Sequence, residues 1–415
     1  MSKIIVEPVT RIEGHAKIAI HLDENENVSD AVFHVVEFRG FEKFCEGRHF
    51  TEMPTITERI CGICPVSHHL TSAKACDAII GVEPPRPARL LRELMHMGQI
   101  VQSHALSFFY LSAPDFVIGF DAEPASRNIV GLALQNPEMG LKGITLRKFG
   151  QEIISALGGK RVHPNFCVPG GVNQPLSPES RNQILGKIDD AMNSCKTGIS
   201  FLKTYIQQHL DEFKGCGSSP SNHFGLVNAS GNLEHYDGFL RMKDANGNIV
   251  LDKHNPDDYL SVVAERTEEW SYLKFPYYKP WGFPEGTYRV GPLARLNIVD
   301  SVGTPLAQDE WEEVKKIAGE YPINSPFFYH YARFIEILFG IERIQQILED
   351  KETVSKDVIG ASRYVPANNV GIGVIEAPRG TLFHHYWVDD NGKIEKVNLI
   401  VSTGQNNYAM NQGVR

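Results

Sequence analysis

Residues 86–113 form one long apolar-rich stretch of good helix formers, interrupted only by Pro87 and Gly98. At about 1.5 Å of rise per residue, a helix of that length crosses a whole domain, and the remaining chain has to be arranged around it. It should end at Ala113-Pro114-Asp115, because the residue before a proline avoids helical geometry. A helix is also predicted over 66–81, after a Cys-Gly-Ile-Cys-Pro turn. A second long helix should start at Ser177-Pro178, with serine as N-cap and proline in the first turn, and run to about Phe213. Further helices are expected at 308–320 and 326–349. Strand-like runs occupy both ends: Ala16–Leu22 and Ala31–Phe38 around a turn at Asp23–Asn27, and 370–402 around Asp389-Asp390-Asn391-Gly392.

The expected fold class is therefore α+β and mainly helical, a central bundle of long helices flanked by small antiparallel sheets. No strand–helix alternation with a glycine-rich phosphate loop occurs, which argues against a Rossmann enzyme. We expect a single intertwined domain over 1–415. Its parts are a β-rich 1–50, a helical core 51–215, a loop and hairpin insertion 216–305, and a helix followed by strands over 306–415. The insertion carries a hairpin signal at Asp244-Ala245-Asn246-Gly247-Asn248. Residues 158–177 are rich in Gly, Pro and Asn and read as a fixed irregular loop.

Charge excludes some partners. With 41 Lys+Arg against 50 Asp+Glu the formal net charge is −9, and no basic cluster offers a phosphate backbone a seat, so nucleic acid is not an expected partner. The seven cysteines, Cys45, Cys61, Cys64, Cys76, Cys167, Cys195 and Cys216, are too few and too irregular for a disulfide framework and suit a reducing compartment. The N-terminus has no signal-peptide pattern and no stretch resembles a membrane span, so a cytoplasmic protein is expected.

The sharpest local motif is Arg59-Ile60-Cys61-Gly62-Ile63-Cys64-Pro65-Val66-Ser67-His68-His69. A Cys-x-x-Cys turn returns the second sulfur beside the first, and helix onset after Cys64 favours its thiolate. Two thiolates suit zinc, nickel or iron. A thioredoxin-like redox pair and half of a structural zinc site fit the same spacing. The first lacks its surrounding βαβ pattern, and the second needs two further ligands where only His68 and His69 are local. Glu13, within Thr10-Arg11-Ile12-Glu13-Gly14-His15, reads alone as a solvated strand carboxylate. Arg379, within Glu376-Ala377-Pro378-Arg379-Gly380, reads alone as a surface turn arginine, although burial in so apolar a setting would demand a partner or ligand. Arg39-Gly40-Phe41-Glu42-Lys43 reads alone as an exposed helix start. His104, Asp115, Arg333 and Glu336, on or beside apolar helices, read singly as satisfied core polar groups.

Taken together, these residues resemble the large subunit of a nickel–iron hydrogenase. The resemblance runs along the whole chain: Val-Thr-Arg-Ile-Glu-Gly-His at 9–15, Arg-Gly-Phe-Glu at 39–42, Arg-x-Cys-Gly-x-Cys-x-x-x-His at 59–68, Ala-Pro-Asp at 113–115, His-Pro-Asn…Pro-Gly-Gly at 163–171 and Glu-Ala-Pro-Arg-Gly at 376–380. The form of the cysteine motif looks most similar to the cytoplasmic bidirectional, NAD(P)-linked group. The resemblance implies reversible conversion of H2 to two protons and two electrons at a nickel–iron centre whose iron carries CO and cyanide. Cys61 would be a terminal nickel ligand and Cys64 would bridge the two metals. Arg379 would hang over the open site, with Pro378 and Asp115 completing its canopy. His68 would donate a hydrogen bond to the bridging sulfur. Glu13 would take the proton from a thiolate, partial burial raising its pKa toward working pH. Glu42 resembles a magnesium ligand.

The chain has no other cysteine spacing fit for an iron–sulfur cluster. The resemblance therefore implies clusters in a small-subunit partner, an obligate heterodimer, and a diaphorase carrying FMN and an NAD(P) site. Maturation factors and a processing endopeptidase would also act on it. It further implies a second Cys-x-x-Cys near the C-terminus. No cysteine follows Cys216, and the sequence ends at Asn411-Gln412-Gly413-Val414-Arg415. We expect a truncated subunit with two of four nickel thiolates, lacking the terminal magnesium ligand, and unable alone to hold a complete centre. Two other readings keep the fold: a metal-poor structural or electron-transfer relative similar to the quinone-site subunit of respiratory complex I, and a hydrogen-sensing regulatory subunit.

Overall fold

The computed structural model describes residues 2–37 and 39–415. Phe38, the expected end of an N-terminal strand, lies outside them. Strands β1 (Lys3–Val6), β2 (Ala16–Leu22) and β3 (Val28–Val35) form an antiparallel sheet in that order. The predicted turn between β2 and β3 is held by Asp23, whose Oδ1 accepts from the Asn25 and Asn27 amides at 2.8 and 2.9 Å, the local bonding that suits Asp to turns.

Helix α1 (Pro65–Ile80) starts directly after Cys64 and stops at Gly81, which is left-handed at φ 65°. Helix α2 (Arg86–Ala105) does not end the helical run. The chain widens into a π-helical turn over Leu106–Ser112 and resumes as Ala113–Ile118, with Pro114 in the new first turn. A first-turn proline leaves no intrahelical N–H unmet, so Pro114 starts a helix where the sequence suggested an end. The wide turn also turns two adjacent rings inward: Phe108 and Phe109 are both fully buried and both pack edge-on against Phe334.

Helix α3 (Pro137–Gly158) was not foreseen. Its glycines blur the apolar pattern and explain the packing. A Cβ on Gly150 would lie 2.3 Å from the Gly98 carbonyl of α2, so the two helix backbones touch where neither has a side chain. This contact accounts for a glycine inside α2. The second long helix begins as predicted, with Ser177 Oγ accepting from the Ser180 amide at 3.1 Å. It then breaks at Gly186-Lys187 into Pro178–Leu185 and α4 (Ile188–Gln208), followed by a short Leu210–Gly215.

The insertion holds a four-stranded sheet of β4 (Asn222–Val227), β5 (Phe239–Lys243), β6 (Ile249–His254) and β7 (Tyr288–Arg289), in the order β7-β4-β5-β6. The β5–β6 connection is the predicted Asp244–Asn248 turn. Helix α5 (Pro292–Ile298), a helix at Pro305–Ala318 and helix α6 (Phe328–Glu349) follow. The last sheet is β8 (Val370–Ala377), β9 (Gly380–Val388) and β10 (Ile394–Ile400), antiparallel throughout. The chain closes with a helix at Asn407–Val414.

Helix α1 lies flat on β8. Added Cβ atoms on Gly371 and Gly373 would come within 2.1 and 2.0 Å of the Ala75 and Thr71 carbonyls. That approach presses the helix that opens at Cys64 against the hairpin that turns at Pro378-Arg379. The architecture is α+β, with long helices in the middle and small sheets around them. Among the described residues no helix is long and apolar enough to cross a membrane.

Candidate metal centre

The Cys61–Cys64 turn is fixed from two sides. Cys64 is the N-cap of α1 and its amide donates to Cys61 Sγ at 3.1 Å. The Ile63 carbonyl inside the turn accepts from Gln99 Nε2 at 2.8 Å and Gln102 Nε2 at 3.2 Å, both on α2. The two sulfurs are bonded to each other across a Cα–Cα distance of 5.4 Å, and reduction leaves two thiolates at one half-buried point. The remaining cysteines do not compete. Cys45, Cys76, Cys167 and Cys195 are buried singly and Cys216 is exposed. Burial pushes the Cys45 thiol up to about 11 and the Cys167 thiol to about 12.

The next residue along α2, Ser103, faces Arg379, whose Nη1 lies 3.4 Å from Ser103 Oγ. Thus one face of α2 touches both the cysteine turn and the arginine turn. Arg379 lies on a two-residue turn, because Ala377 pairs with Gly380. That turn is held from below by a buried charge cluster. Arg295, with no solvent exposure, donates to the Ala377 carbonyl at 2.9 Å and the Pro378 carbonyl at 3.3 Å. It also bonds Glu376 at 2.7 Å and forks onto Glu336 at 2.7 and 2.6 Å. Glu336 takes a further bond from His104 at 2.7 Å. Arg295 holds the Glu336 carboxyl far below its ordinary range against the opposing effect of burial, while burial pushes Glu376 up. Glu336 and His104 are thus core polar groups satisfied by each other. Arg295 escaped the sequence reading, although a lone charge in the apolar run Pro292–Ile298 was its signal.

Arg379 is different, since no carboxylate pairs with it among the described residues. Burial lowers its pKa, and the nearest opposing influence is the carboxylate of Glu13. Arg333 is pushed down to about 10 by burial and by the charge of Arg379. Arg379 and the cysteine turn are held from the same face of α2, and thiolate donors suit soft or borderline metals. On its donor chemistry the site fits a thiolate-bound centre, with Cys61 and Cys64 supplying two of its ligands. Among the described residues no group of three or more His, Cys, Asp or Glu converges as a ready metal cage.

Other expected residues stand differently from their implied places. Glu13 is exposed, in the bend between β1 and β2 rather than on a strand, so this chain alone does not provide the partial burial invoked for it. Asp115 pairs with Arg11 at 2.7 Å and Arg127 at 3.3 Å rather than with Arg379. Glu42 pairs with Arg39 at 2.6 Å and accepts the Leu399 amide at 2.9 Å, so its oxygens are already engaged by the protein. His68 is fully inside, and burial pushes it down to about 4, leaving it neutral. Its Nδ1 lies 3.0 Å from His384 Nε2. The 158–177 loop is fixed as expected: Arg92 ties Asp77 of α1 at 2.5 Å to the Gly171 carbonyl at 2.8 Å.

Glu58, three residues before Cys61, was also missed. It is 1 % exposed and its Oε2 has no hydrogen-bond partner. Burial pushes its carboxyl from 4.5 up to about 7, against the pull of Arg59. A folded-state pKa above the unfolded one means the folded chain holds this proton longer. Stability is therefore unaffected below about pH 4.5 and falls as pH rises to about 7, by up to about 3 kcal/mol. Glu58→Gln should flatten that fall, so thermal melts of parent and variant at pH 5 and pH 8 should differ in their pH response. Equal responses would remove Glu58 as its source.

Comparison with known proteins identifies the family. Residues 39–134 and 230–412 match the family described as "Nickel-dependent hydrogenase", and residues 3–38 match one described as "HoxL-like". The chain is 43% identical over its full length to a subunit of the F420-non-reducing hydrogenase vhu of Methanocaldococcus jannaschii, covering 98% of that protein. It is 41% identical to the beta subunit of the NAD-reducing hydrogenase HoxS of Cupriavidus necator, covering all of this chain and 87% of that one. A crystal structure of an NAD+-reducing [NiFe]-hydrogenase in the H2-reduced state superposes with a TM-score of 0.96 at 44% identity, covering 100% of this chain and 91% of that chain. With the cysteine turn and the arginine turn held on one face of α2 and a family match over residues 39–134 and 230–412, the chain belongs to the nickel-dependent hydrogenase large-subunit family.

Proposed function

We propose that this chain is the catalytic subunit of a nickel–iron hydrogenase, converting H2 to two protons and two electrons in either direction. The observation that carries the reading is the convergence of Cys61, Cys64 and Arg379 on one face of α2 from positions more than 300 residues apart. Cys61 and Cys64 would hold the nickel–iron centre, which would carry CO and cyanide and supply the chemistry of hydrogen binding and splitting. The protein's share is electrostatic and geometric. Arg379, fixed by Arg295 through the Ala377 and Pro378 carbonyls, presents a cation that needs no reorganisation when charge develops beside it. Pro378 stiffens the turn. Glu13 takes the proton at the mouth of the site and passes it outward, while Asp115 holds Arg11 of the same loop.

The same reading gives Glu13 a cover. All four residues of β1 are exposed, and Ile4, Ile5, Val6 and Ile12 lead an apolar surface up to Glu13. A small subunit carrying iron–sulfur clusters, seated there, would bury Glu13. Electrons would leave through those clusters to an NAD(P)-linked diaphorase with FMN. Magnesium at Glu42 would require Arg39 to release it.

The test is metal analysis and hydrogen uptake on the assembled complex purified from its own cells. One nickel per large subunit, with hydrogen-dependent reduction of a viologen dye, is expected. A complex that contains zinc in place of nickel and takes up no hydrogen would overturn the proposal.

A further inference from the structure

Gln99 and Gln102 are neighbours on one face of α2. Gln99 has no solvent exposure and Gln102 is 6 % exposed. Both direct their N–H groups at one carbonyl, that of Ile63 in the cysteine turn, at 2.8 and 3.2 Å. Gln102 Nε2 also donates to Gln99 Oε1 at 3.1 Å. That bond turns the Gln99 amide so that its nitrogen, the end a carbonyl can use, faces the turn. Helix α3 backs the arrangement. A Cβ on Gly150 would lie 2.8 Å from Gln102 Cβ and 2.9 Å from its backbone nitrogen, so this stretch of α2 has no room to draw back.

A carbonyl oxygen has two lone pairs, and two amide donors here occupy both. The Ile63 oxygen and the Cys64 N–H belong to one planar peptide and, across a trans bond, point in opposite directions. Holding the oxygen against α2 therefore aims the Cys64 N–H, which donates to Cys61 Sγ at 3.1 Å. Donation to the oxygen also polarises the peptide and strengthens its N–H as a donor. Every nitrogen in the series can only donate, so its direction is fixed: Gln102 to Gln99, Gln99 to Ile63, and Cys64 to the sulfur.

We propose that Gln99 and Gln102 are positioning residues for Cys61: through the Ile63–Cys64 peptide they place a hydrogen bond on its sulfur and so set how strongly that sulfur donates to a bound metal. This rests on reading Cys61 as a nickel ligand. A thiolate that accepts a hydrogen bond is a weaker donor and favours the lower oxidation state of its metal, so loss of the bond should make the metal harder to reduce.

The experiment uses the assembled hydrogenase and two variants, Gln99→Met and Gln102→Met, which nearly keep the side-chain volume and remove the donors. Redox titration followed by the nickel EPR signal gives a midpoint potential, read beside nickel content and hydrogen uptake. Gln99→Met should shift the potential to a more negative value and lower uptake by about ten- to a hundredfold. Gln102→Met should shift it in the same direction by less, because the 2.8 Å bond from Gln99 survives. A role confined to folding would reduce the amount of assembled enzyme and leave the potential of the remainder at the parent value. A nickel-loaded Gln99→Met enzyme at the parent potential, or at a more positive one, overturns the proposal. Should Gln99→Met fail to assemble or to load nickel, Gln102→Met decides by the same criterion. Failure of the cysteine reading would appear separately, as a full complement of nickel in Cys61→Ser.

Discussion

Cys64→Ser should strip the assembled enzyme of nickel and abolish hydrogen uptake. Cys61→Ser should do the same. A serine hydroxyl at either place is a hard, protonated donor where a soft thiolate is needed. Changes to groups that merely support a ligand typically cost ten- to a hundredfold, so loss of a ligand should exceed about a hundredfold. Cys216→Ser is the control. That thiol is exposed, and its loss should leave nickel and uptake at parent level. Elemental analysis and hydrogen uptake on the same preparations check all three. A Cys64→Ser enzyme with a full complement of nickel would remove the cysteine turn from the centre.

Arg295→Met should be the most damaging single change outside the cysteine turn. The substitution removes the cation from between Glu336 and Glu376, which have no exposure. Breaking a buried pair and stranding its partner typically costs about 3–5 kcal/mol. The same change withdraws both donors from the Ala377 and Pro378 carbonyls, so Arg379 loses its foundation. Arg295→Lys keeps the charge but cannot fork onto Glu336 while reaching the turn. The expected order in urea denaturation and in uptake is therefore parent, then Lys, then Met. Parent-like stability in the Met variant would mean the cluster holds nothing up.

Sequence spacing made the two ends of the site visible and hid what joins them. The Cys61–Cys64 turn is a local motif, and Glu376–Gly380 combines an arginine with a proline in an apolar run, so both stand out in one dimension. Asp115 did not meet Arg379, because its partner Arg11 lies 104 residues away and no local pattern records that pairing. Arg295 acts through residues on other elements, so its role at the turn is not written in the sequence around it, although its lone charge in an apolar run marks it. Helix α3 was concealed by the glycines that let it touch α2. Pro114 misled for a complementary reason: the same residue ends one helix or begins another, and a π turn upstream decides which.

The pairing of α1 with β9 has a consequence for biosynthesis. His68 and His384 are 316 positions apart. At synthesis rates of about 5–20 residues per second, roughly 15–60 s pass between making one and making the other. Throughout that interval the Cys61–Cys64 thiols exist without the hairpin on which α1 rests or the arginine held from the same face of α2. Closing so long a loop is entropically slow compared with forming local helices. The metal seat is thus among the last features of the chain to form. On the proposed function, two neighbouring thiols would have to stay reduced and free of other metals until the seat is built.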